Sequence, residues 1–445
     1  MRILVYGLGR SGLATARLLA RQSHSIEFMD SRPVGTDITA AERLGARRLH
    51  DVSASRAELV IAAPGVPIDH PDLEALRVRG LEVIGEVQWV RRTVAARMIG
   101  ITGTAGKGTV TAWLTHLFNQ AGVDAVAGGN IDPALADVAR PGAILVTELS
   151  SFQLERSTEI DPEVAVVLNL AADHLDRHGT IDAYHAAKRN LLGSLSAGHL
   201  FVYNADDPKL SAWQGQRQGR SAGFSTRRQA DAWLDAGTLM LHGEPLMNAA
   251  AVSLQGEHNL ANALAVALTA SEFGLTSGQI AEGLATFAGL PGRFSKVAEL
   301  DGVTFIEDSI ATRPLAVAAA LNASRPPVVW LAGGQNKGAD ITEFRELAAE
   351  QVRLFIGFGA SGAEFCAGLK DVVPVLHVPD SDGRLALRQA LRLAMQHLTG
   401  NQIRSATVLL APLAASFDQF ADYRERARIF REEVQKLEES WILSS

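Results

Sequence analysis

The sequence predicts an α/β protein of three domains, each a largely parallel sheet covered by helices. Three observations carry this. Short apolar runs of strand length alternate with helix-length amphipathic stretches along the whole chain, the pattern of strand–helix–strand units. Two of those runs lead directly into glycine-rich turns that open a helix, Gly7-Leu8-Gly9-Arg10-Ser11-Gly12 and the stretch Gly100 to Thr109, GITGTAGKGT. The 445 residues, 47% of them hydrophobic, exceed what one ordinary core organises. At about 150 residues per domain they set a range of two to four domains.

The first domain is expected over residues 1–91. Its apolar runs Ile3–Tyr6, Ile26–Met29, Leu59–Ala63 and Leu81–Ile84 are spaced by helical patterns such as Leu13–Leu19. In a dinucleotide enzyme the glycines of G-x-G-x-x-G admit a pyrophosphate, and an acid at the end of the next strand takes a ribose hydroxyl. Asp30 stands at that place, in Met29-Asp30-Ser31-Arg32. The pattern does not separate a nicotinamide dinucleotide from a nucleoside-diphosphate sugar, and a tight turn alone also uses glycines. Arg32 suits a phosphate or a uracil carbonyl, or simply water.

The second domain is expected over residues 92–290. The apolar strand Ala95–Ile101 enters the glycine-rich loop, where converging backbone N–H groups and the following helix N-terminus favour an oxyanion. Lys107 adds a cation. The common pattern G-x-x-x-x-G-K-[ST] would place Gly at 101 and a hydroxyl at 108, where this chain has Ile101 and Gly108. Glu148 follows the run Ile144–Thr147, and Asp173-His174 follows Val164–Leu168 after a short turn. Strand ends of a parallel sheet share one ligand-binding edge, and a carboxylate with an imidazole there suits Mg²⁺ between phosphates and substrate. A surface ion pair for Glu148 and a helix cap for His174 are the plainer alternatives. Lys188 lies in the apolar stripe Ile181, Tyr184, Lys188, Leu191, Leu192, Leu195. It is either a snorkelling stem or an inward site lysine that readily loses its charge. The domain closes with the helical run Asn259–Phe273, while residues 214–247 show weak periodicity and remain unassigned.

The third domain, 291–445, opens after the break Leu290-Pro291-Gly292. Its expected strands are Val303–Ile306, Val328–Leu331, Leu354–Phe358, Val372–His377 and Thr407–Leu410. Glu307-Asp308-Ser309, the turn Gly333 to Gly338 and Pro412 to Ser416 each follow a strand. Lys337 and Ser416 suit a small carboxylate.

Composition narrows the class. A formal net charge of −7, with no long basic run, argues against nucleic acid as a partner. A single cysteine, Cys366, excludes an intrachain disulfide and points to the cytosol. The opening MRILVYGLG lacks the features of a secretory leader, and no apolar run has membrane-spanning length. A soluble cytoplasmic protein without membrane partners is expected.

With these residues assembled, the chain resembles the Mur ligase family along nearly its whole length. The fragments that carry the resemblance are GITGTAGKGT, GGNID (Gly128 to Asp132), ELSSFQLE (Glu148 to Glu155), DHLDRHG (Asp173 to Gly179), YHAAK (Tyr184 to Lys188), Gly256 to Ala265, LPGRF (Leu290 to Phe294), GGQNKGAD and SFDQF (Ser416 to Phe420). The resemblance implies a Rossmann-like domain for a UDP moiety, a central P-loop-type ATPase and a C-terminal Rossmann-like domain that brings an amino acid. It implies a monomeric enzyme of peptidoglycan precursor synthesis, using ATP and Mg²⁺. ATP would phosphorylate the carboxylate of UDP-N-acetylmuramoyl-L-alanine, and the amine of D-glutamate would attack the acyl phosphate.

Carried over by residue, Lys107, Glu148, His174 and Lys188 are catalytic. Glu148, His174, a carbamylated Lys188 and the Thr109 hydroxyl hold the metal. Gly103, Thr104, Ala105, Gly106, Lys107, Gly108 and Thr109 cradle the ATP phosphates, with Asn259, Asn262, Arg293 and Asp308 on the nucleotide. Gly9, Arg10, Ser11, Asp30, Ser31, Arg32, Gly65, Asn130 and Gln153 form the UDP-muramoyl pocket. Thr312, Lys337, Ser416 and Tyr423 form the D-glutamate pocket. The chain departs from the family at Ala105 (usually Asn), Gly108 (a hydroxyl), Gly292 (His before the Arg) and Ile310 (Lys after Asp-Ser). The alternatives are a sister or folylpolyglutamate-type ligase, or a nucleotide-sugar binding protein that has lost catalysis. An NAD dehydrogenase fits least, because no downstream residues supply hydride transfer.

Overall fold

The computed structural model describes residues 1–442 apart from Arg32, Pro33, Ser194, Gln255 and Pro291, and describes only the backbone of Asp176, Leu315, Ser440, Trp441 and Ile442. Arg32, expected at the UDP moiety, therefore lies outside the described residues. The chain forms two compact units, residues 1–287 and 288–445.

The first unit holds two sheets. Strands β1 (Arg2–Tyr6), β2 (Ser25–Met29), β3 (Arg47–Arg48), β4 (Leu59–Ala62) and β5 (Glu82–Ile84) form an all-parallel sheet in the order β3-β2-β1-β4-β5. The second sheet comprises β6 (Arg97–Thr102), β7 (Ala125–Gly129), β8 (Ile144–Glu148), β9 (Val164–Val167), β10 (Leu200–Asn204), β11 (Ser221–Ser225), β12 (Ala232–Asp235), β13 (Thr238–Leu241) and β14 (Glu244–Asn248). Its order is β14-β13-β12-β11-β10-β9-β6-β8-β7. One apolar cluster joins the sheets: Val5, Leu18 and Trp89 share it with Met98, Leu135, Ala165 and Phe201. Burying both faces in one core makes residues 1–287 a single unit, although they carry two sheets.

The stretch 214–247, whose periodicity is weak, holds the parallel strand β11 and then the antiparallel end of the second sheet. Strands β12, β13 and β14 are joined by two-residue turns, Ala236-Gly237 (φ 44° and 82°) and His242-Gly243 (φ 52° and 90°). Hairpin turns of this kind need positive φ at both positions. Ala and His supply it less readily than Asn or Asp, so the usual sequence signal was missing. The register of β13 against β14 slips at Leu239/Met240, and Met240 then faces Pro245.

The second unit is a sheet of β15 (Ser295–Leu300), β16 (Val303–Glu307), β17 (Val328–Gly333), β18 (Val352–Phe358), β19 (Val375–Val378) and β20 (Ala406–Leu410), in the order β15-β16-β20-β17-β18-β19. Strand β15 was not anticipated; it pairs antiparallel with β16 across Asp301-Gly302. Strand β19 begins three residues later than expected, because Pro374 has no N–H for the ladder while its carbonyl accepts the Phe355 amide.

In each sheet the strand that precedes a glycine-rich turn (β1, β6 or β17) lies beside a strand whose connection leaves in the opposite direction. Such switch points open a crevice outside the carboxyl ends of the strands.

Candidate active site

At the first crevice, a cavity of about 580 Å³ is lined by Gly9, Arg10, Ser11, Asp30, Ser31 and Gly65, among others. Six residues expected at the UDP moiety thus meet in one place. The turn is tight because a Cβ on Gly12 would sit 1.9 Å from the Gly7 carbonyl oxygen. Asp30 accepts the Leu8 amide at 2.6 Å. Ser11 donates to the buried Glu86, whose other oxygen takes the Ala136 amide at 2.8 Å. Burial pushes the Glu86 carboxyl up, against the pull of those two donors. Asn130 and Gln153 stand elsewhere. The Gln153 side-chain oxygen accepts the Ser150 amide and hydroxyl, both at 3.0 Å, in a capping box. Arg10 spans towards Asn130, donating to its carbonyl at 2.7 Å and to Asp132 at 2.5 Å.

The second turn is built differently. Gly106 takes φ 81°, and a Cβ there would meet the Asn262 carboxamide oxygen at 2.7 Å. Asn262 and its neighbour Asn259 are buried on the helix Glu257–Glu272, so this asparagine pair backs the loop. Asn169 holds Ala105 at both ends of its peptide, accepting its amide at 2.8 Å and donating to its carbonyl at 3.1 Å. Lys107, first residue of the helix Lys107–Gln120, donates to the carbonyls of Gly103 (2.9 Å) and Thr104 (3.0 Å).

Lys188 reaches the same loop from the helix Ile181–Gly193. Tyr184 and Lys188, four residues apart, share the face turned to the loop. The Lys188 ammonium donates to the Gly103 carbonyl at 2.8 Å and sits 4.6 Å from the Tyr184 ring centre, with the side chain 1% exposed. Burial, then the charge of Lys107, bring its pKa down to about 7; Asp173 and Glu148 pull the other way. Near neutral pH much of it is a free amine, the nucleophilic form.

Glu148 ends β8 and is 2% exposed, not a surface ion-pairing residue. Asn130 donates to one carboxylate oxygen at 2.7 Å. The other oxygen is buried with no hydrogen-bond partner among the described residues. A buried, half-satisfied carboxylate is costly unless a cation or donor completes it. His174 has φ 51°, rare for a residue with a side chain, and packs its ring 4.9 Å from Phe152. Among the described residues no cluster of three or more His, Cys, Asp or Glu forms a metal cage. The unpartnered Glu148 oxygen fits a Mg²⁺ ion, which binds through one or two carboxylates plus phosphate oxygens and waters.

In the second unit, three loops are stitched together. Gln335 and Ala415 exchange backbone hydrogen bonds at 2.8 and 3.0 Å, and the Leu413 amide donates to Ala311 at 2.9 Å. Lys337, Ser416 and Thr312 sit one or two residues from those bonds. The wholly buried Arg426, which sequence reasoning missed, donates to Ser309 (2.9 Å), Ala414 (3.2 Å) and Gly333 (3.5 Å). Its only sequence signal is one arginine among several in an Arg-rich helix. Lys337 lies 5.7 Å from the exposed Phe417 ring. Tyr423 opens the helix Tyr423–Ile442. Burial, then the neighbouring Glu307, push Asp308 up to about 7, against the Phe294 amide and Arg293.

Three family patterns match the chain in order: the N-terminal domain of the MurD-like Mur ligases at residues 1–85, the Mur ligase middle domain at 101–270, and the Mur ligase glutamate ligase domain at 292–412. The chain belongs to the Mur ligase family. Among Mur ligase relatives it is 42% identical to the UDP-N-acetylmuramoylalanine–D-glutamate ligase of Thermus thermophilus, over 99% of each chain. It is 40% identical to the enzyme of the same name from Deinococcus radiodurans, over 98% of this chain and 92% of the other. Solved Mur ligases share its fold. MurF from Acinetobacter baumannii has a TM-score of 0.63 at 16% identity, covering 98% and 93% of the two chains. MurF from Thermotoga maritima, in complex with ADP, has 0.58 at 18%, covering 93% and 95%. Gly292 and Ile310, where the resemblance led to the expectation of His and Lys, lie side by side: the Ile310 amide donates to the Gly292 carbonyl at 3.1 Å.

Proposed function

We propose that the chain ligates D-glutamate to UDP-N-acetylmuramoyl-L-alanine at the expense of ATP, through an acyl phosphate, in peptidoglycan precursor synthesis. The substrates come from the relatives' names. The observation that carries the chemistry is the meeting of two lysines on the Gly103 carbonyl, one of them buried with its pKa brought down to about 7. The reading takes residues 1–91, 92–290 and 291–445 as the UDP, ATP and amino-acid domains of a cytoplasmic monomer. No described helix is long and apolar enough to cross a membrane.

In this reading the phosphate loop binds the triphosphate when Lys107 swings from its two carbonyls onto the phosphates. Lys188 takes up CO₂: its amine nitrogen bonds the carbon, a proton leaves the nitrogen for water, and the carbamate adds one negative charge shared by two oxygens beside Tyr184. Those oxygens, with the orphaned Glu148 oxygen and His174, would hold Mg²⁺, leaving Thr109 or water for the place Gly108 vacates. When bound, Mg²⁺ offsets the charge that builds on the transferred phosphoryl group. The chain's own task is positioning and charge stabilisation. Lys337, Thr312, Ser416 and Tyr423 orient D-glutamate by its carboxylates.

The test is ADP release with UDP-N-acetylmuramoyl-L-alanine and each of D-glutamate, L-alanine, L-lysine and meso-diaminopimelate. Turnover is expected with D-glutamate only, and Lys337→Ala should raise its KM while sparing that of ATP. Better turnover with another amino acid would point to a sister ligase. No ADP with any of them, at millimolar Mg²⁺, would point to a binding protein.

A further inference from the structure

Arg156 follows the segment Glu148–Glu155 and is 4% exposed. A guanidinium taken out of water needs acceptors close by. Those of Arg156 all lie on the connection after β4, which walls the nucleotide cavity. One terminal nitrogen donates to the carbonyls of Val66 and Pro67, each at 2.7 Å, and the other reaches Ala63 at 3.4 Å. Arg177, three residues after His174, donates to the same Val66 carbonyl at 3.0 Å and is held by Glu155 at 2.8 Å. The Arg156 carbonyl in turn accepts the Gly85 amide at 2.8 Å, next to Glu86, which holds Ser11. Both walls of the cavity, Gly9–Ser11 and Ala63–Pro67, are thus fastened to elements packed on the second sheet.

This is an expensive way to hold a surface connection. The Arg156 side chain leaves its third nitrogen buried without a partner among the described residues, and a buried charge is weak as a source of stability. Its product is geometry: one side chain ties Ala63, Val66 and Pro67 together from the far side of the cavity wall.

We infer that Arg156, supported by Arg177, is a positioning clamp that preforms the nucleotide cavity, so that the UDP end of the substrate binds without first ordering the Ala63–Pro67 wall. Preorganisation of this kind raises affinity by lowering the ordering cost of binding. The inference rests on the reading of this cavity as the UDP site.

The test is calorimetric titration of UDP-N-acetylmuramoyl-L-alanine, without ATP, into the full-length wild type, Arg156→Met, Arg156→Lys and Arg177→Gln. Arg156→Met is expected to bind about tenfold more weakly, and its KM for this substrate should rise equally. Its kcat at saturation and its KM for ATP and D-glutamate should stay within about twofold. Arg156→Lys should recover only part of the affinity, because one ammonium cannot span the carbonyls a guanidinium fork reaches. Arg177→Gln should lose about threefold. Unchanged affinity in Arg156→Met, or a fall in kcat with no change in KM, overturns the clamp. If Arg156→Met does not fold, hydrogen exchange of residues 60–70 in the wild type decides. Slow exchange before ligand is added supports the clamp, and fast exchange that the ligand suppresses overturns it. No binding by the wild type overturns the reading of the cavity, and the clamp with it.

Discussion

The first unit contains two glycine-rich turns of similar backbone design with different side chains behind them. Both follow a strand at the switch point among the parallel strands of a sheet and open a helix. Around Gly7–Gly12 the turn is ringed by carboxylates: Asp30 on the Leu8 amide and Glu86 on the Ser11 hydroxyl. Around Gly103–Gly106 it is ringed by amines, with Lys107 and Lys188 on one carbonyl. Glycines set the path of the chain, and the groups behind them choose the ligand. A carboxylate-lined turn favours hydroxyl and N–H donors such as a ribose or a base, whereas an amine-lined turn favours phosphate.

The largest effect expected from breaking this contrast is at Lys188. Lys188→Ala should lower ADP release about a thousandfold, the scale of losing a main electrostatic group, with partial rescue by added acetate. Unmodified Lys188 in an active, Mg²⁺-loaded enzyme, seen by density or mass, would contradict the carbamate. Next comes Lys107→Ala, which should cost at least about a hundredfold in turnover. It should leave calorimetric binding of the UDP substrate intact; loss of both would mean the two turns are not separate sites. On the acidic side, Asp30→Asn should raise the KM for the UDP substrate about tenfold, in line with roughly 1.5–3 kcal/mol for a charge-assisted hydrogen bond. The KM for ATP should not move.

A smaller, pH-dependent effect follows from the folded pKa of Lys188, about 7, lying below its unfolded value. Between roughly pH 7 and 10.4 the unfolded chain holds a proton that the folded chain lacks, so this group's contribution to stability rises with pH. In CO₂-free buffer Lys188→Met should therefore melt higher than wild type near pH 7, by several degrees, and the gap should close towards pH 10. A gap that widened with pH would mean the amine is stabilised as an ammonium. The smallest effect is at Gly108. Gly108→Ser should lower the Mg²⁺ concentration for half-maximal turnover a few-fold, because a hydroxyl would replace a water on the ion.

The sequence exposed the parallel cores and the loop residues, because apolar runs and glycine turns are local signals. It placed Lys188 on an apolar helix face, and the structure shows that face turned to the phosphate loop. It could not show that one Glu148 oxygen is orphaned, since that depends on packing between distant strands. It could not show the work of Arg156 or Arg426 either, because a guanidinium bound to backbone carbonyls leaves no pattern in its acceptors. The β12–β14 hairpins escaped for want of Asn-Gly or Asp-Gly turns. Strand β15 carried such a signal in Asp301-Gly302, but its alternation is weak, with Lys296 and Glu299 exposed on it.

The slip between β13 and β14 has a consequence for how these molecules meet one another. Strand β14 is the outer strand of a nine-stranded sheet, and an outer strand offers unpaired N–H and C=O groups to any passing strand. Here that margin is blunted three ways: Pro245 has no N–H, Glu244 puts a charge at its start, and the bulge at Leu239/Met240 twists it out of line. A second chain finds no continuous ladder to extend, so the widest sheet in the molecule ends in a strand poorly suited to growing a fibre.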